Sequence, residues 1–141
     1  MAEDIIRLEV VTPMKLAVSA KVSEVSAPSV DGEFGVLSGH RPLLAALEHG
    51  VVKYIEGGRA KYAAIAPGFA EVGPDQVVLL VERWERAEEI DIEDARDALA
   101  RAELRVKELL GQETTTEYEQ ARRDERWAFF RAEVAKHQRE V

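Results

Sequence analysis

The chain of 141 residues has no cysteine. That absence excludes disulfides and thiolate zinc sites, so the fold has to rest on packing alone. No window approaches the roughly 18 consecutive apolar residues needed to cross a bilayer, so any association with a membrane must pass through protein partners. Positive charge is scarce as well. Nineteen Lys and Arg face 27 Asp and Glu, and the net charge of −8 disfavours phosphate backbones and anionic lipid surfaces. Aromatic residues make up only 6%. The acidic opening Met1-Ala2-Glu3-Asp4 has neither the basic start nor the apolar stretch of a signal peptide, which implies a protein that stays where it is made. The chain also lacks a G-x-x-x-x-G-K-[ST] loop, a G-x-S-x-G elbow and a paired metal motif, so nothing in it proposes catalysis.

What is present falls into two halves of different period. All five prolines and eight of the nine glycines lie before Asp75. In this half Ile6, Leu8 and Val10 alternate with Arg7 and Glu9, the pattern of a strand with one buried face. Further strand-like runs include residues 22–28, 51–56, 61–65 and 76–81, separated by turn signals at Asp31-Gly32, Gly57-Gly58 and Gly73-Pro74-Asp75. Two adjacent glycines supply the positive φ angles of a primed hairpin turn, which predicts a hairpin at Gly57-Gly58.

After about residue 85 the period becomes helical. Ile92, Ala95, Leu99, Ala102, Val106 and Leu109 form one stripe, with Asp91 as N-cap, Asp94 adding charge at the helix start and Gly111 as the stop. A short loop at 112–116 with a threonine cap leads to a second helix from Tyr118 to about Arg139, which must run antiparallel to the first. Ala121, Ala128, Ala132 and Ala135 offer it a small-residue seam flanked by Phe129. Trp127, Phe130 and Val134 are displaced from the seam, so another surface is expected to cover them. The predicted architecture is α+β in two parts: an antiparallel β-sandwich over 1–84, followed by an antiparallel two-helix hairpin over 85–141. A hairpin with so thin a core is able to move.

The stretch Asp31-Gly32-Glu33-Phe34-Gly35-Val36-Leu37-Ser38-Gly39-His40-Arg41-Pro42-Leu43-Leu44 resembles the signature of the epsilon subunits of bacterial F-type ATP synthases, loosely G-E-x-G-x-x-x-G-H-x-P-L. Val10-Val11-Thr12-Pro13, Pro67-Gly68-Phe69-Ala70-Glu71-Val72 and Glu85-Arg86-Ala87-Glu88 match the same family in order and separation, so the likeness spans nearly the whole chain. Ser38 departs from it, standing where many members carry proline.

The resemblance implies a non-catalytic rotor subunit at the cytoplasmic face of the bacterial inner membrane, peripheral to it. Its sandwich would meet the gamma shaft and the ring of c subunits, and its hairpin would rise toward the alpha and beta subunits to restrain ATP hydrolysis. It makes Glu33, His40 and Arg41 candidates for ring contact. Arg122, Arg123, Arg126 and Arg131 become candidates for docking on acidic segments of the catalytic head, since guanidinium forks pair well with carboxylates. Residues 122–139 hold six basic side chains against three acidic ones in an otherwise acidic chain. The competing reading is a solvated helix face with intrahelical pairs.

Some relatives bind ATP through I/L-D-x-x-R-A at the start of the first helix. Here Ile90, Asp91 and Ala95 agree, Asp94 replaces the arginine, and Arg96, Arg101 and Arg131 are the cations available to compensate. No cofactor is expected otherwise. Two rival readings remain: a free-standing ligand-binding sandwich with a helical lid, and a metal enzyme centred on His40 with Asp31 and Glu33. Against the second, His49 and His137 share no ligand spacing with His40, which reads more simply as a turn histidine bonded to backbone.

Overall fold

The computed structural model describes residues 4–140, with side chains through 138. Met1, Ala2 and Glu3 of the acidic opening and the Arg139 side chain of the basic segment lie outside the described residues.

Ten strands precede two helices. They are β1 (Ile6–Val11), β2 (Leu16–Val22), β3 (Glu24–Ser29), β4 (Gly32–Val36), β5 (Leu43–Leu47), β6 (Gly50–Glu56), β7 (Arg59–Ile65), β8 (Gly68–Val72), β9 (Gln76–Val81) and β10 (Trp84–Arg86). One hydrogen-bonded path runs β10-β7-β6-β3-β5-β8-β9-β1-β2, with β4 on β3. The single pair Ser29↔Leu47 joins β3 to β5, so the sheet divides there into two layers. Period-two alternation sends Ile6, Leu8 and Val10 of β1, Val77, Leu79 and Val81 of β9, Val25 and Ala27 of β3, and Val52 and Tyr54 of β6 into the space between the layers.

The pairing is not antiparallel throughout. β1 enters between β2 and β9 and runs parallel to β9, Leu8 opposite Val77 and Val10 opposite Leu79. The predicted run 22–28 is two strands broken at Ser23, because the chain must turn from β2 on one layer to β3 on the other. The Gly57-Gly58 hairpin forms as predicted, with φ of 59° and 80° and Glu56 paired to Arg59.

Gly68 is required for a different reason. A Cβ there would lie 1.9 Å from the Leu80 carbonyl oxygen and 2.7 Å from the Val81 Cα, so the paired strands β8 and β9 lie too close at this point for any side chain.

The sheet continues past the predicted boundary at 84. Trp84, Glu85 and Arg86 pair with Ile65, Ala64 and Ala63 of β7, and the link to the helices begins at the 3-10 turn Ala87–Glu89. α1 spans Ile92–Glu108, with Asp91 accepting from the Asp94 amide at 3.0 Å, and Gly111 ends it at φ 93°. α2 spans Thr116–Ala135, capped by the Thr115 hydroxyl. The helix stops short of Arg139 as an α-helix and continues as the 3-10 turn Lys136–Glu140.

Of the apolar surplus of α2, Val134 and Trp127 find cover on the outer face of β6 and β7, while Phe130 meets Phe129 of its own helix edge-on at 5.1 Å. Val134 and Ala135 are buried against Ala64, Ala87, Ile90 and Ala95, with Val51, Tyr62, Ile92, Trp127 and Ala132 packed around them. Burial contributes about 1.5–3 kcal/mol for each of Val134 and Ile90 and about 0.8 kcal/mol or less for each alanine. The hairpin is therefore folded down on the sandwich, with α2 in contact and α1 outside it.

Candidate functional site

Three surfaces carry the residues that could act on partners. The first is the loop 37–42 between β4 and β5. It is turned at Gly39, whose φ is 85° and whose amide donates to the Pro74 carbonyl at 2.7 Å. His40 Nδ1 lies 2.7 Å from the Arg41 carbonyl oxygen. A carbonyl only accepts, so that nitrogen carries the proton and the ring is spent on a local turn. Among the described residues no group of three or more His, Asp or Glu is arranged to hold a metal, so His40, Asp31 and Glu33 form no such site.

Glu33 does not share the His40 loop. It lies on β4, opposite Pro28, beside a polar groove of about 390 Å3 formed with Glu24, Ser26, Lys53 and Tyr62. Arg41 and Leu37 of the loop and Leu44 of β5 are exposed, the two leucines at 60% and 71%, so this end presents apolar as well as basic surface.

The second surface was not anticipated. On the outer face of the layer β5-β8-β9-β1-β2, strand register lines up Ala46, Phe69, Leu80, Val11 and Leu16 across five adjacent strands. Phe69, Leu80 and Leu16 are each at least half exposed, and Pro13, Ala46, Phe69 and Leu80 border a shallow groove of about 610 Å3. Each strand shows only one member of this row, which is why one-strand alternation did not reveal it. An apolar row of this length on a charged protein marks an interaction face.

The third is the docked hairpin. Arg131, a candidate for the catalytic head, is engaged with Glu85 of β10, its Nε donating at 2.7 Å and its Nη2 at 3.4 Å. Both side chains are about three-quarters buried or more, at 19% and 25% exposure, so the pair ties α2 to the sheet. Arg83 stands 5.3 Å above the Trp127 ring, Tyr62 stacks on His137 at 3.7 Å, and the Gln138 amide donates to the Ala87 and Ile90 carbonyls. Arg122 is taken up within its own helix by Tyr118 and Glu125. Arg123 and Arg126 are exposed and have no carboxylate within 4.0 Å among the described residues.

The ATP candidates have separate structural roles in the docked form. Ile90 and Ala95 are buried in the hairpin core, Asp91 serves as N-cap, and Arg101 is exposed ten residues along α1, roughly 15 Å up the axis from Asp91. Arg131 is committed to Glu85.

Against known proteins, residues 5–87 match the model of the ATP synthase delta/epsilon chain β-sandwich domain, more than half of the chain and the whole span of β1 to β10. The ATP synthase epsilon chain of Anaeromyxobacter sp. (strain K) is 42% identical over 115 residues, covering 82% of this chain and 87% of that one. The chain belongs to the ATP synthase epsilon chain family.

The epsilon chain of Nitratidesulfovibrio vulgaris (strain DP4) is 46% identical over 107 residues, covering 76% of this chain and 80% of its own length. A chain in the solved Euglena gracilis mitochondrial ATP synthase has the same fold, with a TM-score of 0.77 at 24% identity over 95% of this chain and 82% of that one. Membership makes this epsilon-family chain a non-catalytic subunit of an ATP synthase. No helix among the described residues is long and apolar enough to cross a membrane.

Proposed function

We propose that this epsilon-family subunit is a rotor component of a proton-translocating F-type ATP synthase, peripheral to the cytoplasmic face of the bacterial inner membrane. The observation that carries the reading is the asymmetry of the two outer sheet faces. The β6-β7 face is covered by the chain's own hairpin, whereas the row Ala46-Phe69-Leu80-Val11-Leu16 stays open. An exposed apolar row costs solubility unless a partner covers it, and the gamma subunit of the central shaft is the partner assigned to it here. The loop 37–42, with His40, Arg41 and Leu37, together with Glu33, is assigned to the c-subunit ring.

The hairpin is the regulatory element. In its docked form Arg131 is held by Glu85, while Arg123 and Arg126 remain uncommitted. Released and extended, α2 would carry Arg122, Arg123, Arg126 and Arg131 to carboxylates on the alpha and beta subunits and restrain hydrolysis. Nucleotide is not needed to hold the docked form, because Asp91 and Asp94 act at the helix start and the Glu85–Arg131 pair closes directly. The ligand-binding alternative has less support. The space between the layers is filled by side chains such as Leu8, Val10, Val52 and Leu79 at 0% exposure.

Affinity purification from native membranes tests the assignment. The chain should bring down the alpha, beta and gamma subunits and the c ring. Phe69→Asp with Leu80→Asp, both at exposed positions, should leave folding intact and lose gamma. A chain that purifies alone from native membranes, or a double variant that retains gamma fully, contradicts the reading.

A further inference from the structure

His49 occupies the β5–β6 turn, in a cleft of about 400 Å3 where three elements meet. Its own turn supplies Glu48. The segment after β9 supplies Glu82 and Arg83, and α2 supplies Gln120, Arg123, Asp124 and Trp127, with Arg126 close enough to act on the ring by charge. The formal charges on these neighbours cancel: three guanidinium groups stand against three carboxylates while the imidazole is neutral. One further proton at the centre tips the seat of α2 to net positive, in a place where the cations come mainly from the helix that must stay docked.

We propose that His49 is a proton-sensitive seat for the hairpin: protonating it releases α2 from the sandwich. The proposal rests on the reading of the hairpin as a movable arm. Burial pushes the His49 imidazole below its ordinary value of 6.5. Arg126 pushes the same way and Arg83 adds to it, against Glu48 and Glu82. The sign follows from linkage. The docked state binds this proton less readily than the undocked state, so docking is fully supported above about pH 6.5 and is lost as the pH falls from there through the lowered value. His40 is tied to the Arg41 carbonyl in a different loop, away from the hairpin, which makes it the control.

The absence of native cysteine permits a clean measurement. Spin labels at Glu71→Cys on β8 and Gln112→Cys in the interhelix loop, both exposed positions, report docked and undocked arms as short and long distances in the full chain. One proton of linkage allows at most about tenfold between roughly pH 7.5 and 5.5. The long-to-short ratio should rise at least about threefold over that range, and His49→Gln should flatten it while His40→Gln does not. A smaller rise, or a rise that persists in His49→Gln, overturns the proposal. The same labels in the assembled synthase separate the two readings. If the long distance appears there without a pH response in the isolated chain, His49 is wrong and the movable arm stands. If only the short distance appears in both, both readings fall.

Discussion

The Glu85–Arg131 pair gives the docked hairpin a measurable strength. Exposed ion pairs contribute about 0–1 kcal/mol, whereas deleting one partner of a fully buried pair costs about 3–5 kcal/mol. At 19% and 25% exposure, with two donors on one carboxylate, this pair lies between those limits. Glu85→Gln or Arg131→Gln alone should then weaken docking by about 1–2 kcal/mol, and the coupling between them should be about 1 kcal/mol. The pair ties α2 to β10 and takes no part in the sandwich core, so the loss is local. Native-state hydrogen exchange reads it directly. Amides in α2 around Ala128 and Val134 should lose about tenfold in protection in each single variant, while β1 amides keep theirs. The double variant should fall short of the sum of the singles. Unchanged α2 protection, strict additivity, or equal loss in β1 would refute the latch.

Two further expectations follow from local geometry. Gly68→Ala forces a methyl group into the Leu80 carbonyl and the Val81 backbone, neither of which can move aside cheaply, so it should cost about 3 kcal/mol or more in global stability by urea unfolding; a loss below about 1 kcal/mol contradicts the close approach. Calorimetric titration of the full chain with ATP should show no binding in the micromolar range, since Asp94 stands in place of the motif arginine and Arg131 is committed to Glu85; micromolar binding would overturn the assignment of Asp91 and Asp94 to the helix start alone.

Much of the fold was legible because periodicity reports burial. The α1 stripe from Ile92 to Leu109 is at least partly buried at every position, and β1 buries the three residues that alternation selects. Strands β4 and β5 were harder to see. Gly32-Glu33-Phe34-Gly35-Val36 reads as turn because glycines that serve hairpins flank its one aromatic, and Leu43-Leu44-Ala45-Ala46-Leu47 has no alternation to offer. The parallel β1–β9 pair is a matter of long-range order that no local pattern encodes.

The candidate site was legible in its residues and not in its assembly. The signature segment pointed to the family, but Glu33 and His40 lie on different surfaces, and the open apolar row exists only once five strands are in register. Arg131 shares with Arg122, Arg123 and Arg126 the basic segment 122–139. Its partner Glu85 is 46 residues away, so its role in the docked state is set by the packing of the hairpin on β10.

The claim that the hairpin is a brake is tested most directly by ATP hydrolysis in the assembled synthase carrying Arg122→Glu, Arg123→Glu and Arg126→Glu. If the hairpin is a brake, the rate is several-fold higher than in the unaltered complex, with the subunit still incorporated. An unchanged rate with normal incorporation would contradict it.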